Sequence, residues 1–226
     1  MEIVIVRNPA SSCRSPLGAN KIAIGGEAAL MACAGSHTMA LDAVHFFRAW
    51  MVAPLRVASI TPSSAALARL MVSAIGPHTG PVIELGPGTG VFTRALIGQG
   101  VAEADLVMVE KGAEFAAVLA KRFPLANLLC IDAAEIGEAT LHFNGPAGAV
   151  VSGLPLLSIP TAKVSSILAG SFAHMRDDGA FYQFTYGPRC PVPRAILEGL
   201  GLEATRIGRT LRNIPPATVY RIARKA

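Results

Sequence analysis

Three glycines at alternate positions, Gly86, Gly88 and Gly90, stand between the apolar run PVIEL and the helical pattern TGVFTRALIG. Glycines placed so let a backbone turn sharply and approach a ligand closely. Glu84 precedes them, Glu110 follows Gly86 by 24 residues, and Asp132 and Ser152-Gly153 close two later apolar runs. A dinucleotide loop wants G-x-G-x-x-G, with its third glycine inside the helix for close packing. Here Gly90 comes one residue early and Val91 holds that place, and the Lys-Ser/Thr of a phosphate-binding P-loop is missing.

The spacing puts Glu84 on the loop itself, where a carboxylate repels a pyrophosphate and attracts a ligand carrying an ammonium and a sulfonium. Glu110 falls where a carboxylate can hold ribose hydroxyls, and Asp132 where one can accept from an adenine amino group. S-adenosylmethionine fits this set better than NAD. Each residue also has a bland reading: a tight turn for the glycines, a solvated strand end for Glu110, a helix cap for Asp132. Four in register at successive strand ends make coincidence improbable.

The elements that must position them alternate along the chain. Strand patterns PVIEL, DLVMVE, NLLCID, GAVVSGL and AFYQFTY are interleaved with helical patterns, and LEATRIGRT and ATVYRIARK read as a closing strand pair around Asn213-Ile214-Pro215-Pro216. Repeated βα units followed by a β-pair predict a Rossmann-like, doubly wound, mostly parallel seven-stranded sheet with an antiparallel edge. Ligands of such sheets sit at the carboxyl ends of the strands. Before the first strand, Ser63 is the expected cap of a helix carrying Leu67, Leu70, Met71 and Ala74, closed by Gly76-Pro77.

At 226 residues, 52% hydrophobic and 15% charged, the chain suits one well-buried α/β domain. Its four cysteines are dispersed, with no Cys/His cluster, so neither zinc nor a disulfide framework is expected, and no metal is assigned. No apolar run reaches the length of a membrane span. The net charge of +5 is unevenly placed. Arg48, Arg56 and Arg69 occupy an acid-free stretch from Ala43 to Ile83. Arg206, Arg209, Arg212, Arg221, Arg224 and Lys225 occupy another from Ala204 onward. Basic ends around a more acidic middle imply a polyanionic partner, nucleic acid or an anionic membrane, or else a solvated basic face.

Residues 1–40 lack a clear period and read as a disordered extension, or as an annotated start too far upstream with Met39 as the true start. Asp42 is a candidate cap for AVHFFRAWMVA, ended by Pro54. Phe46, Phe47, Trp50 and Met51 share one face of that helix, with His45 and Arg48 opposite, and Arg56 joins the basic face if the turn continues. Such a helix over 41–60 can lie in a bilayer interface with its arginines on lipid phosphates, or pack its aromatic face on the core.

From residue 44 onward the sequence resembles the class I S-adenosylmethionine-dependent methyltransferases, and within them the bacterial phospholipid N-methyltransferases, which convert phosphatidylethanolamine stepwise to phosphatidylcholine. The stretches that carry the resemblance are FFRAWMVAPLRVASITPSSAAL, VIELGPGTGVFTRALI, VVSGLPLLSIP, FYQFTYGP and NIPPATVYRIAR. It implies that Glu84, Gly86, Gly88, Gly90 and Glu110 hold the cofactor, with Asp132 near its adenine, in a domain over 61–226. It also implies that the helix around Phe46, Phe47 and Trp50 docks on anionic lipid, which places the protein in the cytoplasm, peripheral to the membrane. Residues 1–40 have no counterpart in the pattern.

The nearest rival is an RNA adenine N6-dimethyltransferase. Such enzymes carry an Asn/Asp-Pro-Pro-aromatic or Asn-Leu-Pro-Tyr type loop after the fourth strand, where this chain has Ser152-Gly153-Leu154-Pro155-Leu156. The amide for the amino group and the aromatic for the base are missing, which disfavours nucleic acid. An ornithine lipid remains an alternative acceptor, since it too presents a primary amine on a membrane lipid, and a non-enzymatic lipid-binding module would leave the cofactor residues without a purpose. A methylated amine is a growing cation, for which an aromatic face is suitable. Tyr186, ending the fifth strand, is the leading headgroup contact, with Trp50 second. Arg189 is placed to meet the lipid phosphate. His142 and His174 are expected to be structural.

Overall fold

A computed structural model describes residues 62–143, 145–213 and 215–225. The expectations for Asp42, Phe46, Phe47, Arg48, Trp50 and Arg56, and for the extension over 1–40, lie outside the described residues.

The strands are β1 (Val82–Leu85), β2 (Leu106–Val109), β3 (Asn127–Leu129), β4 (Ala147–Ser152), β5 (Met175–Thr185), β6 (Leu202–Thr210) and β7 (Ala217–Arg224). The helices are α1 (Pro62–Met71), α2 (Val91–Gly98), α3 (Ala113–Arg122), α4 (Thr161–Ala173) and α5 (Arg194–Gly199). Strands β1, β2 and β4 are buried along their whole length, which is why they read as continuous apolar runs rather than alternating ones. They form the expected seven-stranded sheet in the order β3-β2-β1-β4-β5-β7-β6. Neighbours from β3 to β5 pair in parallel, while β7 is antiparallel to both β5 and β6.

The closing strand pair forms the expected antiparallel edge: β7 inserts between β5 and β6, and β6 is the border strand, running in the same direction as β1–β5. Paired on both sides, β7 buries Val219 in one apolar layer and Ile222 in the other, both fully. The more polar β6, with Glu203, Thr205, Arg206 and Arg209 exposed, takes the solvent side. Charged side chains are what an edge strand needs to discourage further pairing.

Two apolar layers cover the sheet. Ile83, Leu85, Val107 and Phe181 face one layer with Ile167, Leu168 and Phe172 of α4 and Ile196 of α5. Val82, Met108, Val151 and Tyr182 face the other with Leu67 and Met71 of α1, Leu96 of α2 and Leu119 of α3. Helix α1 begins at Pro62, so Ser63 lies inside its first turn rather than capping it; proline favours the first helical position. The helix also ends at Met71, before Gly76-Pro77, which instead opens a 3-10 turn. Leu70 packs where a Cβ on Gly208 near the end of β6 would stand, whereas Gly76 and Pro77 lie against Gln99 and Gly100 beyond the end of α2. The chain therefore passes from the carboxyl end of β6 at Leu70 to the end of α2 at Pro77 before it enters β1.

Helix α4 reaches the 3-10 turn over Ala133–Glu138 through backbone contact. A Cβ on Gly170 would stand 2.6 Å from the amide nitrogen of Gly137 and 2.9 Å from its Cα. Main chain cannot swing aside as a side chain can. We expect Gly170→Ala to lower the unfolding free energy by about 1–3 kcal/mol, read as a lower denaturant midpoint with an unchanged slope.

Candidate active site

Strands β1, β2 and β3 step one way across the sheet and β4 and β5 the other, so a crevice opens between the carboxyl ends of β1 and β4. The loop leaving β1 folds tightly. The Gly86 N–H donates to the Val109 carbonyl at 2.9 Å, and the Gly90 N–H to that of Pro87 at 2.8 Å. Gly86, Gly88 and Gly90 have φ of 65°, 54° and 76°, a region that opposes any side chain. Gly90 is also sterically pinned, since a Cβ there would meet the Phe123 ring at 2.6 Å. At Gly88 a Cβ would touch nothing within 4 Å, so the loop is open on that side. Arg94 and Arg122, which the sequence reading did not single out, both donate to the Thr89 carbonyl, at 3.2 and 2.6 Å.

Glu110 follows β2 and braces this loop. Its Oε2 accepts from the Gly88 N–H at 3.1 Å, and its Oε1 from the Gly112 N–H at 2.8 Å. A carboxylate oxygen takes two donors, so each retains a site for a ligand hydroxyl.

Glu84 does not sit on the loop, as the spacing suggested, but within β1 and fully buried. Thr93, in the first turn of α2, donates its hydroxyl to Glu84 Oε2 at 2.6 Å. No hydrogen bond from the described residues reaches Oε1. Burial pushes the carboxyl up from 4.5 to about 7, against the lowering effect of the Thr93 bonds. Its influence on a ligand is therefore a field acting through the loop rather than a contact.

Asp132 follows β3 and takes the bland role as well as any other. Its Oδ1 caps the next 3-10 turn by accepting from the Ala134 N–H at 3.0 Å, and its Oδ2 pairs with Lys163 at 2.8 Å and Lys111 at 3.1 Å. The Lys163 bond, then the Ala134 amide, hold this carboxyl well below the ordinary range.

Across the crevice, Ser152 ends β4 fully buried, its Oγ accepting from the Leu154 N–H at 3.3 Å. Gly153 follows with its N–H on the Leu85 carbonyl at 2.8 Å, and a Cβ there would lie 2.6 Å from the Gly86 carbonyl. Gln183 of β5, buried beside Ser152, donates to the Leu154 carbonyl at 3.0 Å and the Phe184 carbonyl at 2.8 Å. Its role in pinning this loop carried no sequence signal beyond a polar residue in an apolar strand.

Tyr186 is half-buried just past β5. Its ring stands edge-on to Phe184 with centroids 5.5 Å apart, and Phe184 is edge-on to Phe92 of α2 at 5.9 Å. An aromatic row thus leads from the helix behind the glycine loop to the end of β5. Burial raises the Tyr186 phenol above its ordinary value, opposed by a hydrogen bond to the Asn213 side chain. Asn213, itself buried, donates to the Pro215 carbonyl at 2.8 Å and so braces the β6–β7 hairpin. Arg189 is exposed. His174 lies outside the site, its Nε2 2.8 Å from the Ile136 carbonyl. Arg224, one of the basic C-terminal residues, is structural: it holds the Phe172 and Arg176 carbonyls, at 2.7 and 2.8 Å. Among the described residues no cluster of His, Cys, Asp or Glu could hold a metal.

The residues fit S-adenosylmethionine. The loop is open at Gly88, Glu110 is held rigidly beside it with acceptor capacity for ribose hydroxyls, and a buried carboxylate lies behind it to favour a cationic ligand.

Glu84 makes the free protein pH-sensitive. Its folded value lies above the unfolded one, so between pH 4.5 and about 7 the native state holds more protons. Stability is then full below pH 4.5 and falls by about 3 kcal/mol as the pH rises past 7. We expect Glu84→Gln to flatten this decline in unfolding scans from pH 5 to 8. A cation in the crevice favours the ionised form, so cofactor binding should release a proton near pH 6.5, detectable by calorimetry in two buffers and absent from Glu84→Gln.

No family model matches the chain. Over 171 residues it is 31% identical to an ornithine lipid N-methyltransferase of Singulisphaera acidiphila, an alignment covering 73% of this chain and 86% of the relative. Among solved structures, a TehB-like SAM-dependent methyltransferase from Corynebacterium glutamicum superposes with a TM-score of 0.56 at 15% identity, over 82% of this chain and 99% of its own. The glycopeptide N-methyltransferase MtfA, complexed with S-adenosyl-L-methionine, gives 0.52 at 15% identity, over 74% and 96%. These structures share the fold, and the relative shares the sequence across most of both chains. The chain belongs to the class I S-adenosylmethionine-dependent N-methyltransferases, in the family that includes the ornithine lipid enzyme.

Proposed function

We propose that the protein methylates the primary amine of a membrane amino lipid, carrying phosphatidylethanolamine toward phosphatidylcholine through mono- and dimethyl stages. The observation that carries this reading is the aromatic row Phe92–Phe184–Tyr186, which runs from the helix behind the cofactor loop to the outer end of β5. A cation that grows bulkier and more apolar with each methyl group is matched by aromatic rings rather than by a competing charge. Ornithine lipid is the second acceptor, favoured by the name of the 31% identical relative. Both lipids present a primary amine beside an anionic group, for which the exposed Arg189 is suited.

S-adenosylmethionine supplies an electrophilic methyl group and a good leaving group, so the chain contributes mainly position. Glu110 and the Gly86–Gly90 backbone fix one reactant from the β1 side. Ser152 to Leu156, pinned by Gln183, shape the β4 side where the amine must arrive in line. The amine has to lose a proton before it attacks. Tyr186 is not its base, because the phenol is raised further above neutrality and bonded to Asn213. Water or the lipid's own anionic group takes the proton. In this reading the protein is peripheral on the cytoplasmic membrane, with the helix over 41–60, bearing Phe46, Phe47, Arg48, Trp50 and Arg56, laid in the bilayer interface.

Incubation with labelled S-adenosylmethionine and vesicles of phosphatidylethanolamine, vesicles of ornithine lipid, or RNA tests the acceptor. Label in lipid is expected, and label in RNA alone would sink the proposal. Removing residues 1–57 should weaken vesicle binding and leave cofactor affinity intact; undiminished binding would assign that segment to packing. At Tyr186, Phe should keep most of the activity, whereas Leu should lower kcat/KM by about tenfold, the value of a desolvated cation–π contact.

A further inference from the structure

We propose that the carboxyl edge of the sheet beyond β4 is itself a bilayer-docking rim, in which the β6–β7 hairpin and the turn after β4 press Leu211 and Leu157 into an anionic lipid surface. The proposal rests on the amino-lipid reading and deepens it by naming the face through which the lipid reaches the site.

Among the described residues four large aliphatic side chains are exposed: Val118, Leu125, Leu157 and Leu211. Leu157 (62% exposed) lies in the 3-10 turn that follows the carboxyl end of β4, and Leu211 (71%) directly follows the carboxyl end of β6. Strands β4, β5, β7 and β6 are consecutive neighbours, so the two leucines cap one edge over about 14 Å, three inter-strand steps. Single exposed leucines are ordinary, but two on the rim beside a lipid-handling crevice form an aliphatic border.

Charge selects the partner. The connections over 153–160, 186–193 and 211–216 contain Arg189 and Arg212 and no acidic residue, and Arg209 stands one residue before the end of β6. All three arginines are exposed. The acids gather elsewhere. Asp177, Asp178 and Glu203 lie at the amino ends of β5 and β6, and Glu110, Asp132 and Glu135 on the cofactor side of the crevice. A basic, leucine-tipped rim with its acids turned away is complementary to anionic headgroups over hydrocarbon. Nucleic acid would match the arginines but gives the leucines nothing to enter.

The hairpin is built to bear load. Asn213, next to Arg212, is buried, bonded to the Pro215 carbonyl and to the Tyr186 side chain. The docking tip is thereby tied to the proposed headgroup contact.

Sedimentation of the full chain with vesicles of phosphatidylglycerol and phosphatidylcholine tests the rim without any acceptor amine present. Leu211→Asp and Leu157→Asp should each weaken partitioning by about tenfold. Arg212→Glu should weaken it by about fivefold or more, and raised salt should remove most of the difference between Arg212→Glu and wild type. Val118→Asp and Leu125→Asp are the controls, expected to partition as wild type, and folding of every variant is checked by its melting temperature. Unchanged partitioning of Leu211→Asp and Leu157→Asp overturns the proposal, as does equal loss in the two controls. Wild type that binds RNA and not vesicles overturns it as well. Vesicle binding through the rim without methylation of any amino lipid would refute the acceptor reading and leave the rim standing.

Discussion

The site depends on the contact between the two backbones that leave β1 and β4. Gly153 donates to the Leu85 carbonyl, and its Cα is so near the Gly86 carbonyl that no side chain fits between them. Gly86 is closed from the other side by Leu154, whose Cδ2 would stand 2.7 Å from a Cβ. The cofactor loop and the acceptor loop are therefore one unit, held at main-chain distance. Methyl transfer needs two reactants aligned to within a fraction of an ångström, and a seam without side chains has few ways to relax. The Gln183 bonds to the next two carbonyls extend the same rigidity into β5.

The second constraint is a buried carboxylate placed behind that seam. An ionised Glu84 with one oxygen lacking a donor costs stability at neutral pH, and the protein retains it in β1, where an apolar residue would pack at no such cost. A charge in low dielectric projects a stronger field than one in water. Inside the strand it also escapes the solvent that would screen it on the loop. With the carboxyl poised near neutrality, a cationic ligand in the crevice draws it into the ionised form, and the destabilisation is the counterpart of that response.

Much of this was legible in the residues. The seven strands and their order along the chain follow from apolar runs bounded by turn signals, and the glycine spacing located the loop. What was not legible is lateral. The linear pattern of two terminal strands does not say that β7 enters between β5 and β6; that follows from which of the two can bury both faces. Glu84 was read as a loop residue because its neighbour Leu85 and the glycines look alike to a pattern, whereas the β1–β4 register shows four residues inside the sheet. For Asp132 the position fits a cap or an adenine contact alike, and its partners Ala134, Lys163 and Lys111 display the cap and two ion pairs. The Thr93 bond to Glu84, the Gln183 bond to Leu154 and the Asn213 bond to Tyr186 join different elements, so no local pattern announces them.

The directions of the strands convert the chain's charge pattern into a division of labour. Every strand from β1 to β6 points its carboxyl end the same way, so the loops that follow β2 and β3 bring Glu110 and Asp132 to one half of that edge. The loops after β5 and β6 bring Arg189 and Arg212 to the other, where the loop after β4 carries no charge. The carboxylates beside the cofactor loop and the exposed arginines thus stand side by side on one edge. The net charge of +5 misses this, because it carries no information on position. Each transfer to an amine exchanges a proton for a methyl group, so the charge of the product ammonium is unchanged and only its bulk and apolar surface grow, which a site shaped by packing registers and one shaped by charge alone does not.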